Sequence, residues 1–251
     1  MGHHPVNTAH TKPVPAGTTA RLVTTHTLIT LDARHPFTAK SLLDAQDMHR
    51  TVMSGFQGWV DDGSRDARAQ MSVLSSWALD LRNARLSLVV QSAVPGDWSR
   101  LPRAALTEAP ESLVVDRTFR VGDRVDFRTV VNPVTSRPSP AAGPGRSRGV
   151  RVGHTRPELV KTWFARRLQA AGEPAVAPDG VVRIGAEADI ERLALRVLPK
   201  VSSHQAHKGL RIVRAEIRGV LRVTDPETFV GALSQGVGHG RAYSCGLILV
   251  R

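Results

Sequence analysis

The chain has 251 residues, 41% of them hydrophobic, with 34 Lys and Arg against 22 Asp and Glu and a formal net charge of +12. That length holds one large domain or two small ones, and the single cysteine, Cys245, excludes a disulfide framework or a cysteine zinc site. The charge selects polyanionic partners, and arginine, whose planar fork pairs with phosphate and stacks on bases, favours nucleic acid over a lipid surface.

Residues 1–19 are polar and rich in His, Thr and Pro. They lack the apolar core of a secretion signal and read as a disordered extension. No stretch approaches the length of a membrane span, so a cytoplasmic protein with no membrane partner is expected.

Arg21–Leu31 is rich in β-branched residues and predicts a strand. Asp44 is a plausible N-cap, and Met48, Val52, Met53 and Phe56 at helical spacing predict a helix over Ala45–Gln57. Ala69–Leu79 and Leu86–Val94 read as strands joined at Arg82-Asn83. Asp97 can cap a helix over Trp98–Thr107, and Arg124–Val131 alternates again as a strand. The order β-α-β-β-α-β is the ferredoxin-like arrangement.

Val134–Gly149, dominated by Pro, Gly, Ser and Arg, reads as a linker or basic loop. Beyond it the scheme repeats, with a strand at Val150–Gly153 and a helix over Pro157–Ala171 stopped by Gly172. That helix buries Leu159, Val160, Trp163, Phe164 and Leu168 and turns Lys161, Arg166 and Arg167 to the other side. Strands follow at Val181–Ile184, Arg192–Leu198 and Leu210–Val223. Asp225-Pro226 opens a further helix as N-cap and first residue, and Leu247–Val250 closes the chain as a strand. The expected fold is therefore α+β, two tandem ferredoxin-like (RRM-like, βαββαβ) domains over residues 20–133 and 150–251, with 134–149 between them.

Gly236 to Gly246 (GVGHGRAYSCG) is a glycine-rich, cationic loop between that helix and the last strand. Glycine permits φ > 0 and close approach to a ligand, and successive free N–H groups can cradle phosphate. The helix-then-strand order is the reverse of a Walker loop or dinucleotide fingerprint. A nucleotide cofactor is a poor fit, and a nucleic-acid backbone is a better one.

Several segments, taken in order, resemble the CasE family of CRISPR-associated endoribonucleases of type I-E systems. They are Asp47-Met48-His49-Arg50-Thr51, Val90-Gln91-Ser92 with Asp97-Trp98-Ser99, Gly122 to Arg128 (GDRVDFR) with Asn132-Pro133, the helix around Trp163 with Arg166-Arg167-Leu168, Gly219 ahead of Val223-Thr224-Asp225-Pro226, Gly236-Val237-Gly238, and Cys245-Gly246-Leu247. The resemblance covers roughly residues 20–251 and implies two ferredoxin-like domains. It implies a cut in CRISPR repeat RNA at the base of its hairpin without metal or other cofactor. The upstream 2′-hydroxyl attacks phosphorus and leaves a 2′,3′-cyclic phosphate. It also implies that the protein stays on the crRNA with other Cascade subunits.

By the same resemblance His49 is the candidate base, a role suited to an imidazole titrating near neutrality. Lys208 is the candidate cation for the phosphorane, with His207 beside it, or His204, as candidate acid. Gly236, Gly238, His239, Gly240 and Arg241 are expected to hold RNA backbone. Arg166, Arg167 and Lys161 are expected to track an A-form stem, which is read through phosphates and shape, and Arg50 joins them. The family often has Tyr three residues before the active-site His, where this chain has Gln46, and its one tyrosine, Tyr243, matches no catalytic tyrosine by position. A catalytically silent RNA-holding subunit is therefore the leading alternative. The others are an unrelated basic nucleic-acid-binding protein of ferredoxin-like fold and a metal-dependent nuclease using Asp61-Asp62 or Glu187, Asp189 and Glu191.

Overall fold

The computed structural model describes residues 19–59, 67–137, 150–203 and 209–251. The extension read over 1–19 (save its last residue), most of the linker, and Asp61, Asp62, His204, His207 and Lys208 lie outside the described residues.

The first half runs β1 (Thr19–Asp32), α1 (Pro36–Leu43), α2 (Ala45–Met53), a short α3 (Ala67–Gln70), β2 (Leu74–Asp80), β3 (Arg85–Ser92) and β4 (Glu111–Arg120). The second runs β5 (Arg124–Val131), β6 (Val134–Arg137), β7 (Val150–Gly153), α4 (Pro157–Ala165), β8 (Ala186–Glu187), β9 (Ala194–Ser202), β10 (Arg211–Val223), α5 (Pro226–Gln235) and β11 (Ile248–Val250). The first sheet has the order β2-β3-β1-β4 and the second β11-β5-β10, with β8 and β9 both pairing β10, all antiparallel. Both orders are those of a ferredoxin-like sheet, and the chain is an α+β protein of tandem ferredoxin-like units.

Local signals explain the helices. The Asp44 side chain accepts from Gln46 N at 2.8 Å and caps α2, which buries Met48 and Val52 beneath β1 and β3 with Ile29, Leu31 and Leu88. Asp225 accepts from Thr228 N and caps α5 with Pro226 as its first residue. The second core gathers Phe127, Trp163, Phe164, Ile217, Leu221 and Phe229 between that sheet and its helices.

Some expectations are corrected. Arg124–Val131 does not close the first sheet; it pairs with β10 and β11 and opens the second. The closing strand of the first sheet is β4, which pairs with β1. Trp98–Thr107 forms no α-helix, only a 3-10 turn at Arg103–Ala105, because Pro102 lacks an N–H and disfavours helical backbone before it. Residues 69 and 70 are helical rather than extended, α4 ends at Ala165, and Val181–Ile184 contributes a single bridge from Val182 to Val176. Val134–Arg137 pairs with Val150–Gly153 as a two-stranded ribbon flanking residues 138–149.

The halves are joined by buried polar contacts. Gln91 Nε2 donates to Leu233 O at 2.8 Å, and the Ser75 and Ser244 hydroxyls meet at 2.9 Å. No helix among the described residues is long and apolar enough to cross a membrane.

Candidate active site and nucleic-acid interface

The loop after α5 is built by its glycines. Gly236, Gly238, Gly240 and Gly246 all have positive φ. A Cβ on Gly236 would lie 2.8 Å from Leu74 Cδ2, and one on Gly238 would lie 2.9 Å from Trp163 Cη2. With Gly246, whose Cβ would lie 2.6 Å from Val237 O, three of these glycines are required by packing as well as by backbone conformation. His239 bridges to Asn132, and Gly240 leads into a 3-10 turn over Arg241–Tyr243.

A groove of about 770 Å³ opens beside this loop. Its walls bring together Gly236, Gly238, His239, Arg241, Arg166 and Arg167, six of the residues expected to touch RNA. Arg183 and the start of β6 also line it, and neither was singled out in the sequence. Arg167 lies 3.4 Å over the Trp163 ring and donates to Trp163 O, and burial, with Arg166 nearby, pushes its pKa down to about 10. It stays charged at neutral pH. Arg166 pairs with Asp179, and Arg241 donates to Gln235 O at 3.0 Å. Burial and the charges of Arg151, Arg167 and Arg241 hold His239 below the usual histidine range. Gly240 and Lys161 are not part of the lining; Gly240 packs on Asn132 and Lys161 pairs with Glu191 at 3.2 Å.

The same loop reaches His49. Burial lowers the imidazole pKa, and Arg68 and Arg50 push the same way, while a backbone hydrogen bond from the ring to Ala242 opposes them. The Tyr243 ring meets His49 edge-on at 6.2 Å, and the Tyr243 hydroxyl donates to Gln46 Oε1 at 3.5 Å. At neutral pH His49 is therefore a neutral imidazole able to accept a proton. Arg50, one residue on, is exposed and donates to Asp47 at 2.9 Å. Residues 239–243 thus join the groove to the imidazole.

The acidic cluster of the second half resolves otherwise. Glu187, Asp189 and Glu191 pair separately with Arg222, Arg192 and Lys161. Among the described residues no three His, Cys, Asp or Glu side chains gather in a way that would hold a metal ion.

The sequence profile of a family described as "CRISPR associated protein" matches residues 26–251. The CRISPR-associated endoribonuclease Cse3 of Thermus thermophilus is 25% identical over 213 residues, covering 84% of this chain and 92% of that protein. A structure of CRISPR endoribonuclease Cse3 bound to a 19-nucleotide RNA superposes with a TM-score of 0.63 at 22% identity, covering 92% of this chain and 98% of the other. Cas6e from Escherichia coli K-12 gives a TM-score of 0.61 at 17% identity, covering 90% and 98%. These structural matches share the fold. The profile match spans nearly the whole chain, and with the ordered CasE-like segments it shows that the chain belongs to the CRISPR-associated protein family, in its CasE branch.

Proposed function

We propose that the protein is an endoribonuclease that cuts CRISPR repeat RNA at the base of its hairpin, needs no metal, and remains on the crRNA with other Cascade subunits in the cytoplasm. The observation that carries this is the loop 239–243, which lines a groove of arginines at one end and touches the imidazole of His49 at the other. The RNA-bound Cse3 structure, alike over the whole fold, supports the RNA part of the reading.

In this reading His49 takes the proton of the 2′-hydroxyl upstream of the cut. The 2′-oxygen bonds to phosphorus, the P–O5′ bond breaks, and His207 delivers a proton to the departing 5′-oxygen. The products are a 2′,3′-cyclic phosphate and a 5′-hydroxyl. Lys208 offsets the extra charge of the phosphorane. Among the described residues, Ser203 Oγ donates to Asp44 Oδ2 at 3.2 Å, at the N-cap of the helix that carries His49. Arg166, Arg167, Arg241, His239 and the glycines Gly236 and Gly238 hold the stem's phosphates.

The test is incubation of the purified chain with a repeat hairpin RNA in EDTA, beside His49→Ala and a substrate with 2′-deoxy at the cut. Cleavage by the wild type alone, stopped by the deoxy substitution, is the expected result. Tight binding without cleavage supports the second reading, a crRNA-holding subunit, for which the untitratable Gln46 is the specific motive.

A further inference from the structure

We propose that Tyr243 is a further catalytic residue of this site: its hydroxyl donates a hydrogen bond to a non-bridging oxygen of the scissile phosphate, beside the imidazole of His49. The inference rests on the endoribonuclease reading above.

The placement of Tyr243 is costly and specific. Its turn is bracketed by two left-handed residues, Gly240 at φ 78° and Ser244 at φ 57°. Ser244 has a Cβ, so this conformation is unfavourable for it. It persists because the surroundings over-determine it: the Ser244 hydroxyl is buried against that of Ser75, on the other half of the molecule. The consequence is an aromatic ring turned against α2, edge-on to His49 and with its hydroxyl toward Gln46.

The hydroxyl has capacity left. Its distance to Gln46 Oε1 is 3.5 Å, whereas a well-formed O–H···O bond is about 2.7–2.8 Å. A substrate oxygen entering the site can take that proton in a shorter bond. Burial, and the charge of Asp44, raise the phenol's pKa, so it remains protonated and a donor throughout the neutral range. The neighbouring charges at the imidazole, Arg50 and Arg68, are cationic and suit an approaching phosphate. The proton stays on the tyrosine oxygen throughout; the contact stabilises charge and transfers nothing.

Single-turnover cleavage of the repeat hairpin in EDTA, measured with its Kd, tests this. Tyr243→Phe keeps the ring and loses only the hydroxyl. The expected result is an unchanged Kd with a cleavage rate about a hundredfold lower. Because the chain has a single tyrosine, growth on 3-fluorotyrosine labels this site alone, and the labelled protein, which retains a hydroxyl, should cleave at close to the wild-type rate. A Tyr243→Phe protein that cleaves like wild type, or that loses rate only in proportion to lost binding, overturns the assignment while leaving the endoribonuclease reading intact. Failure of the wild type itself to cut overturns both.

Discussion

Replacing Gly238 by alanine couples the packing of the loop to its function. Gly238 has φ 74°, and an added Cβ would sit 2.9 Å and 3.0 Å from Trp163 Cη2 and Cζ2. The indole cannot easily yield. It is 2% exposed, its Nε1 donates to Val134 O at 2.9 Å, and the Arg167 guanidinium lies 3.4 Å from its ring centre. A left-handed alanine costs about 1–2 kcal/mol and overpacking about 1–3 kcal/mol, so the loss should be about 2–5 kcal/mol. Urea denaturation should show a lower midpoint at unchanged slope. Any displacement of Trp163 carries Arg167 with it, so hairpin affinity should fall as well. Gly231→Ala is the control: an added Cβ there meets nothing within 4 Å, in the interior of α5. That change should stabilise by about 0.5–1 kcal/mol. A Gly238→Ala protein within about 0.5 kcal/mol of wild type, the size of an ordinary surface change, would refute the packing argument.

The remaining predictions concern charge. The acidic limb of kcat/KM for cleavage should fall below pH 6.5, because burial and the nearby arginines disfavour the protonated imidazole of His49. By the same sign, His49 contributes nothing adverse to stability above its unfolded pKa and destabilises the fold as pH drops below it through the lowered folded value. An inflection above pH 6.5, or an NMR titration of His49 there, contradicts this. Arg167→Ala and Arg241→Ala should each weaken hairpin binding and reduce the slope of log K against log salt by about 0.7–0.9. Lys161→Ala should leave that slope unchanged, since Lys161 pairs with Glu191 outside the groove, and equal slopes for all three proteins would count against the groove. Arg214→Met should change the stability measured in urea only little, because a buried guanidinium with unmade hydrogen bonds is itself unfavourable. Arg214 is 2% exposed and packed 3.9 Å over Trp77, and its Nε and Nη2 have no hydrogen-bond partner. A substantial loss of stability would show that the buried charge is better compensated than its contacts indicate.

Much of this was legible along the chain. Asp44 and Asp225 announced two helix starts because capping is a local contact between a side chain and an N–H two or three residues on. The net charge announced a polyanion, and the density of glycine around His239 announced a backbone that approaches something closely. Other features were not legible. The charged edge strand Glu111–Arg120 lies mostly exposed and shows little apolar alternation, so its period was too weak to read. Arg124–Val131 alternates in the same way whichever sheet receives it; only its partners in β10 and β11 assign it to the second.

The site divides along the same line. Residue types and their local spacing determined that a histidine stands on an amphipathic helix and that a cationic glycine loop precedes the last strand. Periodicity and capping act over a few residues, and they carry no information about which distant surfaces meet. That Gly238 must be glycine because Trp163 lies against it, that four arginines from three separate segments line one groove with His239, and that Tyr243 comes to rest against His49 and Gln46 are consequences of two sheets packing together. Only the tertiary structure decided them.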